Sequence, residues 1–158
     1  MSFDSPSFDS FDNINYKKIR IGIVRSLWNK DITDLLYQSS YNFLKNMGLE
    51  DQKILTKNVP GSMELIHGSN TILNNNKDID GIIALGCIIK GETDHDKYIS
   101  YAVANGLVNV SLKYNKPVIF GVLTTNNMSQ AIDRCGGKHG DKGLESAKSL
   151  LMMINNAN

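Results

Sequence analysis

The stretch GETDHDKY, Gly91 to Tyr98, sets His95 between Asp94 and Asp96 directly after a long apolar run. The glycine turns the chain, and the Thr-Asp-His cluster reads as the start of a helix. A helix start leaves backbone N–H groups unpaired and carries the positive end of the macrodipole, so it can receive an anion. Thr93 adds a hydroxyl donor. His95 would stand in the first helical turn as a proton carrier that changes charge near neutral pH. The alternative is a surface histidine in an ordinary turn capped by Thr93 or Asp94. Asp-His-Asp does not read as a metal site, because no second His or Cys stands at ligand spacing.

Three further stretches carry reactive or ligand-binding types. RCGGKHGDKG, residues 134–143, concentrates Arg134, Lys138 and Lys142 among four glycines. Arg134 could grip phosphate as a forked donor, and the stretch equally fits a solvated connection between helices. It is not a GxxxxGK[ST] loop, and no GxGxxG occurs, so a dinucleotide site has no support. Glu64 follows the Pro-Gly turn of VPGSMEL, where a helix start stabilises a carboxylate, or where it could accept hydrogen bonds from a polyol or an amine. Trp28, the one tryptophan, follows an apolar stretch in RSLWNKD. It could stack on a planar heterocycle or pack beside a helix. Phe120 reads most simply as core.

The elements that must position these residues follow from periodicity. Residues 18–24, KIRIGIV, read as a strand. A helix with Ile32, Leu36, Ser39, Ser40, Phe43 and Met47 at helical spacing follows, closed by Gly48. Residues 52–59 are a second strand, and a helix begins near Met63 with Leu65, Ile66, Ile72 and Leu73 apolar. Residues 81–89, GIIALGCII, are a continuous apolar strand, as expected when both faces of a parallel sheet are covered. A helix from His95 to Tyr114 carries Ile99, Val103, Leu107, Val110 and Leu112. Residues 117–123 are a fourth strand, and Asn127 caps a short helix with Gln130 three residues on. A last helix runs from Leu144 to about Ile154. This alternation predicts right-handed βαβ units: an α/β fold with a four-stranded parallel sheet between helix layers. Ligands bind such sheets at the carboxyl ends of the strands, where PGSMEL, KGETDH and TTNN all lie.

Composition bounds the rest. The 158 residues suffice for one domain with a real core, read as residues 14–158. Residues 1–13, MSFDSPSFDSFDN, read as a flexible extension, or one whose Phe3, Phe8 and Phe11 dock on a neighbouring subunit. With 17 basic and 16 acidic side chains and a net charge of +1, no electrostatic ground exists for a nucleic-acid or membrane partner. No apolar run approaches the roughly 20 residues that span a bilayer, and no signal peptide is visible. Cys87 and Cys135 form no CxxC pair, which argues against a disulfide framework or zinc site and for a reducing cytoplasm.

Together these stretches resemble a known family. VPGSMEL resembles the lumazine synthase motif VPGAFE, GCIIKGETDHDKYI its GxxIRGET-x-H stretch, and FGVLTTNNMSQAIDRCGGKHGDKGLESA its FGVLTT…QAxxRAG-x-K-x-GNKG stretch. RIGIVRSLWN resembles its opening strand and aromatic-Asn turn. The match runs from about Arg20 to Met152 in one register. The resemblance implies a flavodoxin-like three-layer sandwich. It also implies condensation of 5-amino-6-(D-ribitylamino)uracil with 3,4-dihydroxy-2-butanone 4-phosphate to 6,7-dimethyl-8-ribityllumazine, with release of phosphate and water and without metal or organic cofactor. The family forms pentamers with active sites between adjacent subunits, and in many members these build an icosahedral shell. By position, Trp28 matches the aromatic that stacks on the pyrimidine. Ser62, Met63 and Glu64 match the segment holding ring and ribityl chain, and Ile88 and Ile89 match strand-end residues whose backbone contacts the ring. Glu92 and Thr93 match the phosphate-cradling turn, and His95 the proton carrier. Phe120, Arg134 and Lys142 match residues supplied by the neighbouring subunit. Departures are Asp96 and Lys97, where an aromatic and an acid are usual, Met63 for Phe, and Lys90 for Arg. A non-catalytic relative that binds flavin or lumazine, or forms a shell, is the alternative.

Overall fold

The computed structural model describes residues 15–156. Its central strand is the apolar run GIIALGCII, which forms β3 (Gly81–Ile89) and is buried at every position but the last. Successive side chains of a strand point to opposite faces. Ile83, Leu85 and Cys87 therefore enter one core, and Ile82, Ala84 and Ile88 another. A strand apolar on both faces needs a helix layer on each.

The other strands, β1 (Ile21–Ser26), β2 (Ile54–Val59) and β4 (Val118–Thr125), lie parallel to β3 in the order β2-β1-β3-β4. On one face pack α1 (Lys30–Asn46) and α5 (Lys142–Asn156), through Ile32, Leu36 and Leu44 of the first and Ala147, Leu150 and Leu151 of the second. On the other face pack α2 (Leu65–Asn75) and α3 (His95–Tyr114), through Leu65, Ile72, Leu73, Val103, Leu107 and Val110. Burying each such aliphatic side chain is worth roughly 1.5–3 kcal/mol, against about 0–1 kcal/mol for a surface ion pair. The two cores therefore hold the layers together. The result is the flavodoxin-like α/β sandwich. Among the described residues no helix is long and apolar enough to cross a membrane.

Boundaries differ from expectation in places, each with a local cause. Residues 16–18 close a 3-10 turn through Lys18 N–H to Asn15 O and Ile19 N–H to Tyr16 O, so β1 starts at Ile21, later than residue 18. It continues to Ser26 because pairing with β2 continues to Val59. In α1, Leu44 takes the fully buried place and Phe43 only packs at its edge. In α3, Leu112 is 74% exposed, because the buried face steps from Val103 through Leu107 to Val110 and leaves residue 112 on the far side. The segment read as a simple break holds a small antiparallel hairpin, β5 (Cys135–Gly137) with β6 (Gly140–Asp141), after the short α4 (Met128–Asp133). Asn127 caps α4 by accepting from Gln130 N–H, while the Gln130 side chain accepts from Asn126 N–H, one residue before the expected partner. The expectations for residues 1–13 lie outside the described residues.

Candidate active site

From β1 the chain runs outward to β2 on one side and returns to β3 on the other. That places a topological switch point at the carboxyl ends of β1 and β3, where open α/β sheets bind ligands. A cavity of about 790 Å³ opens there. Its wall is assembled from Trp28 and Asn29 after β1, Gly61 to Glu64 after β2, and Cys87, Ile88 and Ile89 of β3. Gly91, Thr93, His95, Asp96 and Ile99 around the start of α3 join them, with Met128 of α4.

The backbone fixes the first two walls against each other. Leu27 N–H donates to Val59 O at 2.8 Å and Trp28 N–H to Pro60 O at 3.0 Å, so the loops after β1 and β2 stay stitched beyond the sheet. Trp28 is 71% exposed, a flat apolar surface at the rim and not the core residue it could have been. Ser62 is buried, and its turn lies against β3 at residue 86. A Cβ on Gly86 would stand 2.7 Å from Ser62 Oγ, so the approach exists only because residue 86 has no side chain. Glu64 Oε2 accepts from Gly61 N–H at 2.8 Å, closing the Pro-Gly turn and orienting the carboxylate, which retains further acceptor capacity.

The third wall is the start of α3. Asp94 occupies the N-cap position without a side-chain capping bond, and its carboxylate pairs instead with Lys97 at 2.8 Å. The ordinary capping turn expected as the alternative thus lacks its hydrogen bond. A helix N-terminus without a side-chain acceptor attracts anions. Thr93 and the exposed His95 share this corner. A Cβ on Gly91 would meet no heavy atom within 4 Å, so nothing in the chain itself demands glycine there. Burial pushes the Cys87 thiol up to about 12, which leaves it a neutral wall group.

The structure brings Trp28, Ser62, Met63, Glu64, Ile88, Ile89, Thr93 and His95 to one cavity. Glu92 is exposed beside it. Phe120, Arg134 and Lys142 are not part of this wall. Phe120 is half-buried against the α2–α3 core. Arg134 and Lys142 stand at the β5–β6 hairpin and the start of α5. There Glu145 Oε2 accepts from Arg134 at 3.0 Å and lies 3.6 Å from Lys142 Nζ, while Arg134 also donates to His139 O. Sequence reasoning did not single out Asn29, Asp96, Ile99 or Met128 as wall residues. Asn29 and Met128 each flank a recognisable helix start, a signal available in the sequence. Asp96 and Ile99 follow His95 by one residue and one helical turn. Among the described residues no cluster of three His, Cys, Asp or Glu side chains could hold a metal ion.

Fold and cavity define a flavodoxin-like α/β protein with an open cavity at the switch point of its sheet. Residues 18–158 match the family described as 6,7-dimethyl-8-ribityllumazine synthase, and the chain belongs to that family. It is 49% identical to the 6,7-dimethyl-8-ribityllumazine synthase of Cytophaga hutchinsonii over 133 residues, covering 84% of this chain and 83% of the relative. It is also 45% identical to that of Bacteroides fragilis over 136 residues, covering 86% and 94%. The synthase of Parabacteroides distasonis is 41% identical over 138 residues, covering 87% and 86%.

Proposed function

We infer that this chain is a transferase of riboflavin biosynthesis. It condenses 5-amino-6-(D-ribitylamino)uracil with 3,4-dihydroxy-2-butanone 4-phosphate and yields 6,7-dimethyl-8-ribityllumazine, phosphate and water. The observation that carries the reading is the meeting of Trp28, Glu64, Thr93 and His95 in one switch-point cavity of a chain from this family. In the proposed arrangement Trp28 covers the pyrimidine ring. Ser62, Met63 and Glu64 hold ring and ribityl chain, with Glu64 accepting from ribityl hydroxyls. The backbone at Ile88 and Ile89 contacts the ring edge. The leaving phosphate sits on the turn at Glu92 and Thr93, against the uncapped amides of α3. The 5-amino group and the ketone form an imine with loss of water, phosphate departs beside it, and the ribitylamino nitrogen closes the ring on the second carbonyl with loss of a second water. All three steps move protons, and His95 is the group proposed to carry them. The charge that develops on the leaving group needs donors already in place. Much of the rate comes from holding two substrates together.

One chain holds only part of this machinery, so the site is proposed to be completed by Phe120, Arg134 and Lys142 of an adjoining copy, with Arg134 on the phosphate. The exposed face of α3 supports self-association: Tyr98, Tyr101, Val108 and Leu112 line up along it, opposite the buried face. An apolar stripe of this length on a monomer marks an interaction surface. Pentamers are the assembly proposed, with an icosahedral shell, built through further contacts between pentamers, as a higher order. The cytoplasm is the compartment proposed, on the two free thiols, Cys87 and Cys135. The test is direct. Mixing the two substrates with protein and following lumazine absorbance gives turnover if the inference holds. Tight binding of lumazine or flavin without rate enhancement would show a binder instead. Sedimentation of the same sample reads the assembly.

A further inference from the structure

Asn29 is built unlike an ordinary helix cap. An N-cap residue normally has extended backbone and turns its side chain onto the first helical amides. Asn29 precedes α1 with φ 54 and ψ 50, in the left-handed region, and makes no side-chain capping bond. Its backbone oxygen receives Ile32 N–H at 3.0 Å and Thr33 N–H at 3.1 Å, so α1 starts properly without that bond. The freed carboxamide turns to β3, and Nδ2 donates to Cys87 O at 2.9 Å. The pairing of β1 with β3 stops with Arg25 opposite Leu85, two residues short of Cys87. The carboxamide therefore prolongs the tie between these strands past the end of their ladder. The residues on either side of this tie are cavity wall: Trp28 is its chain neighbour, and Ile88 follows Cys87. Among the described residues the other left-handed asparagine, Asn115, ends α3, where such a conformation is common. At Asn29 the conformation serves the carboxamide.

We propose that Asn29 is a positioning residue for the pyrimidine subsite: its carboxamide, bonded to Cys87 O, sets the gap between the Trp28 ring and the end of β3 into which the planar substrate slides. The proposal rests on the reading in which Trp28 stacks on the pyrimidine. A backbone carbonyl can only accept, so the bond needs an N–H donor at residue 29. Left-handed backbone needs Gly, Asn, Asp or His there. These two demands separate cleanly by substitution. Asn29→Gly keeps the backbone and loses the donor. Asn29→Asp keeps backbone and shape but points an acceptor at an acceptor. Asn29→His keeps the backbone and an N–H donor.

The experiment measures steady-state constants for both substrates in these variants and in Trp28→Ala. It also follows quenching of the emission of Trp28, the one tryptophan, by 6,7-dimethyl-8-ribityllumazine, and thermal unfolding. Loss of one positioned hydrogen bond predicts that Asn29→Gly raises KM for the pyrimidine about tenfold. Asn29→Asp raises it further, and Asn29→His recovers part of the loss. KM for the phosphorylated ketone stays within about twofold throughout, since its subsite lies at the α3 start. Lumazine quenches Trp28 more weakly in Asn29→Gly and Asn29→Asp, and the unfolding transition stays cooperative. Wild-type pyrimidine KM in both variants, with Trp28→Ala impaired, overturns the positioning role alone. A pyrimidine KM untouched by Trp28→Ala overturns the stacking reading and this inference with it. Equal losses for both substrates mean a general structural role and overturn it as well.

Discussion

The two ends of the sheet are built on opposite plans. At the amino ends of the strands, polar groups turn mostly on one another. Arg20 N–H donates to Asp80 at 2.8 Å, the Arg20 guanidinium pairs with Asp78, and Lys116 Nζ donates to the carbonyls of Lys77 and Ile79. At the carboxyl ends the side chains turn outward: Trp28, Met63, His95 and Met128 stand exposed around a cavity. Asp96 Oδ1 is buried there without a partner. The closed end is not fully paired, since Arg20 Nε is also buried without a partner among the described residues, but its ion pairs and carbonyl contacts tie the fold together, while the open end turns its side chains toward a cavity. Stability and binding should therefore respond to different substitutions on the same strands.

The largest effect is expected at the open end. His95→Ala should lower kcat by about 100-fold, the lower range for a lost general acid or base, and leave a measurable rate. A variant rate equal to that of the wild type would remove His95 as the proton carrier. Arg134→Ala should raise KM for the phosphorylated substrate about 10- to 30-fold through loss of a charge-assisted contact. Binding of the pyrimidine should change far less; equal losses would contradict a phosphate role.

β3 itself offers a matched pair. A Cβ on Gly86 would collide with Ser62 Oγ, and one on Gly81 would come within 2.6 Å of Leu150 Cδ1 and 2.9 Å of Pro117 O. Both alanine variants should lose about 1–3 kcal/mol of stability by overpacking. Only Gly86→Ala should also weaken the pyrimidine KM, and a kinetic effect of Gly81→Ala would blur the division between the ends.

The smallest effect belongs to the closed end. The Arg20 guanidinium beside Asp78 holds its carboxyl below the usual carboxylate range. A depressed carboxyl contributes stability above its unfolded value, about 3.9, and loses it as pH falls through the folded one. Acid unfolding of Asp78→Asn should therefore be slightly less steep below about pH 4 than that of the wild type. The pair is exposed, so added salt should shrink even that difference.

The fold was legible where local chemistry decides it. The apolar run at residues 81–89 could only be a central strand, and His95 to Tyr114 is the helix that its spacing describes. The parts of the cavity that follow strand ends were legible for the same reason, since each is a short motif at a turn. Nothing local separates the exposed Leu112 from the buried Val103, Leu107 and Val110, because α3 is apolar on two opposite faces and periodicity alone does not say which face meets the sheet. The bond from Asn29 to Cys87 escaped notice because it depends on which loops converge. Residue 29 reaches Cys87 across 58 positions of sequence. Strand order brings those residues together, and no local pattern records it.

Glu145 has a consequence for how a phosphate is met. One carboxylate oxygen lies against both the Arg134 guanidinium and the Lys142 ammonium before any ligand arrives. Two long cationic side chains, each with about 2 kcal/mol of rotamer freedom to lose, are thus already drawn to one carboxylate when the chain folds, Arg134 by a hydrogen bond and Lys142 more loosely. On the proposed role of Arg134, a phosphate would meet a guanidinium already held by Glu145 and His139 O and would not have to order it.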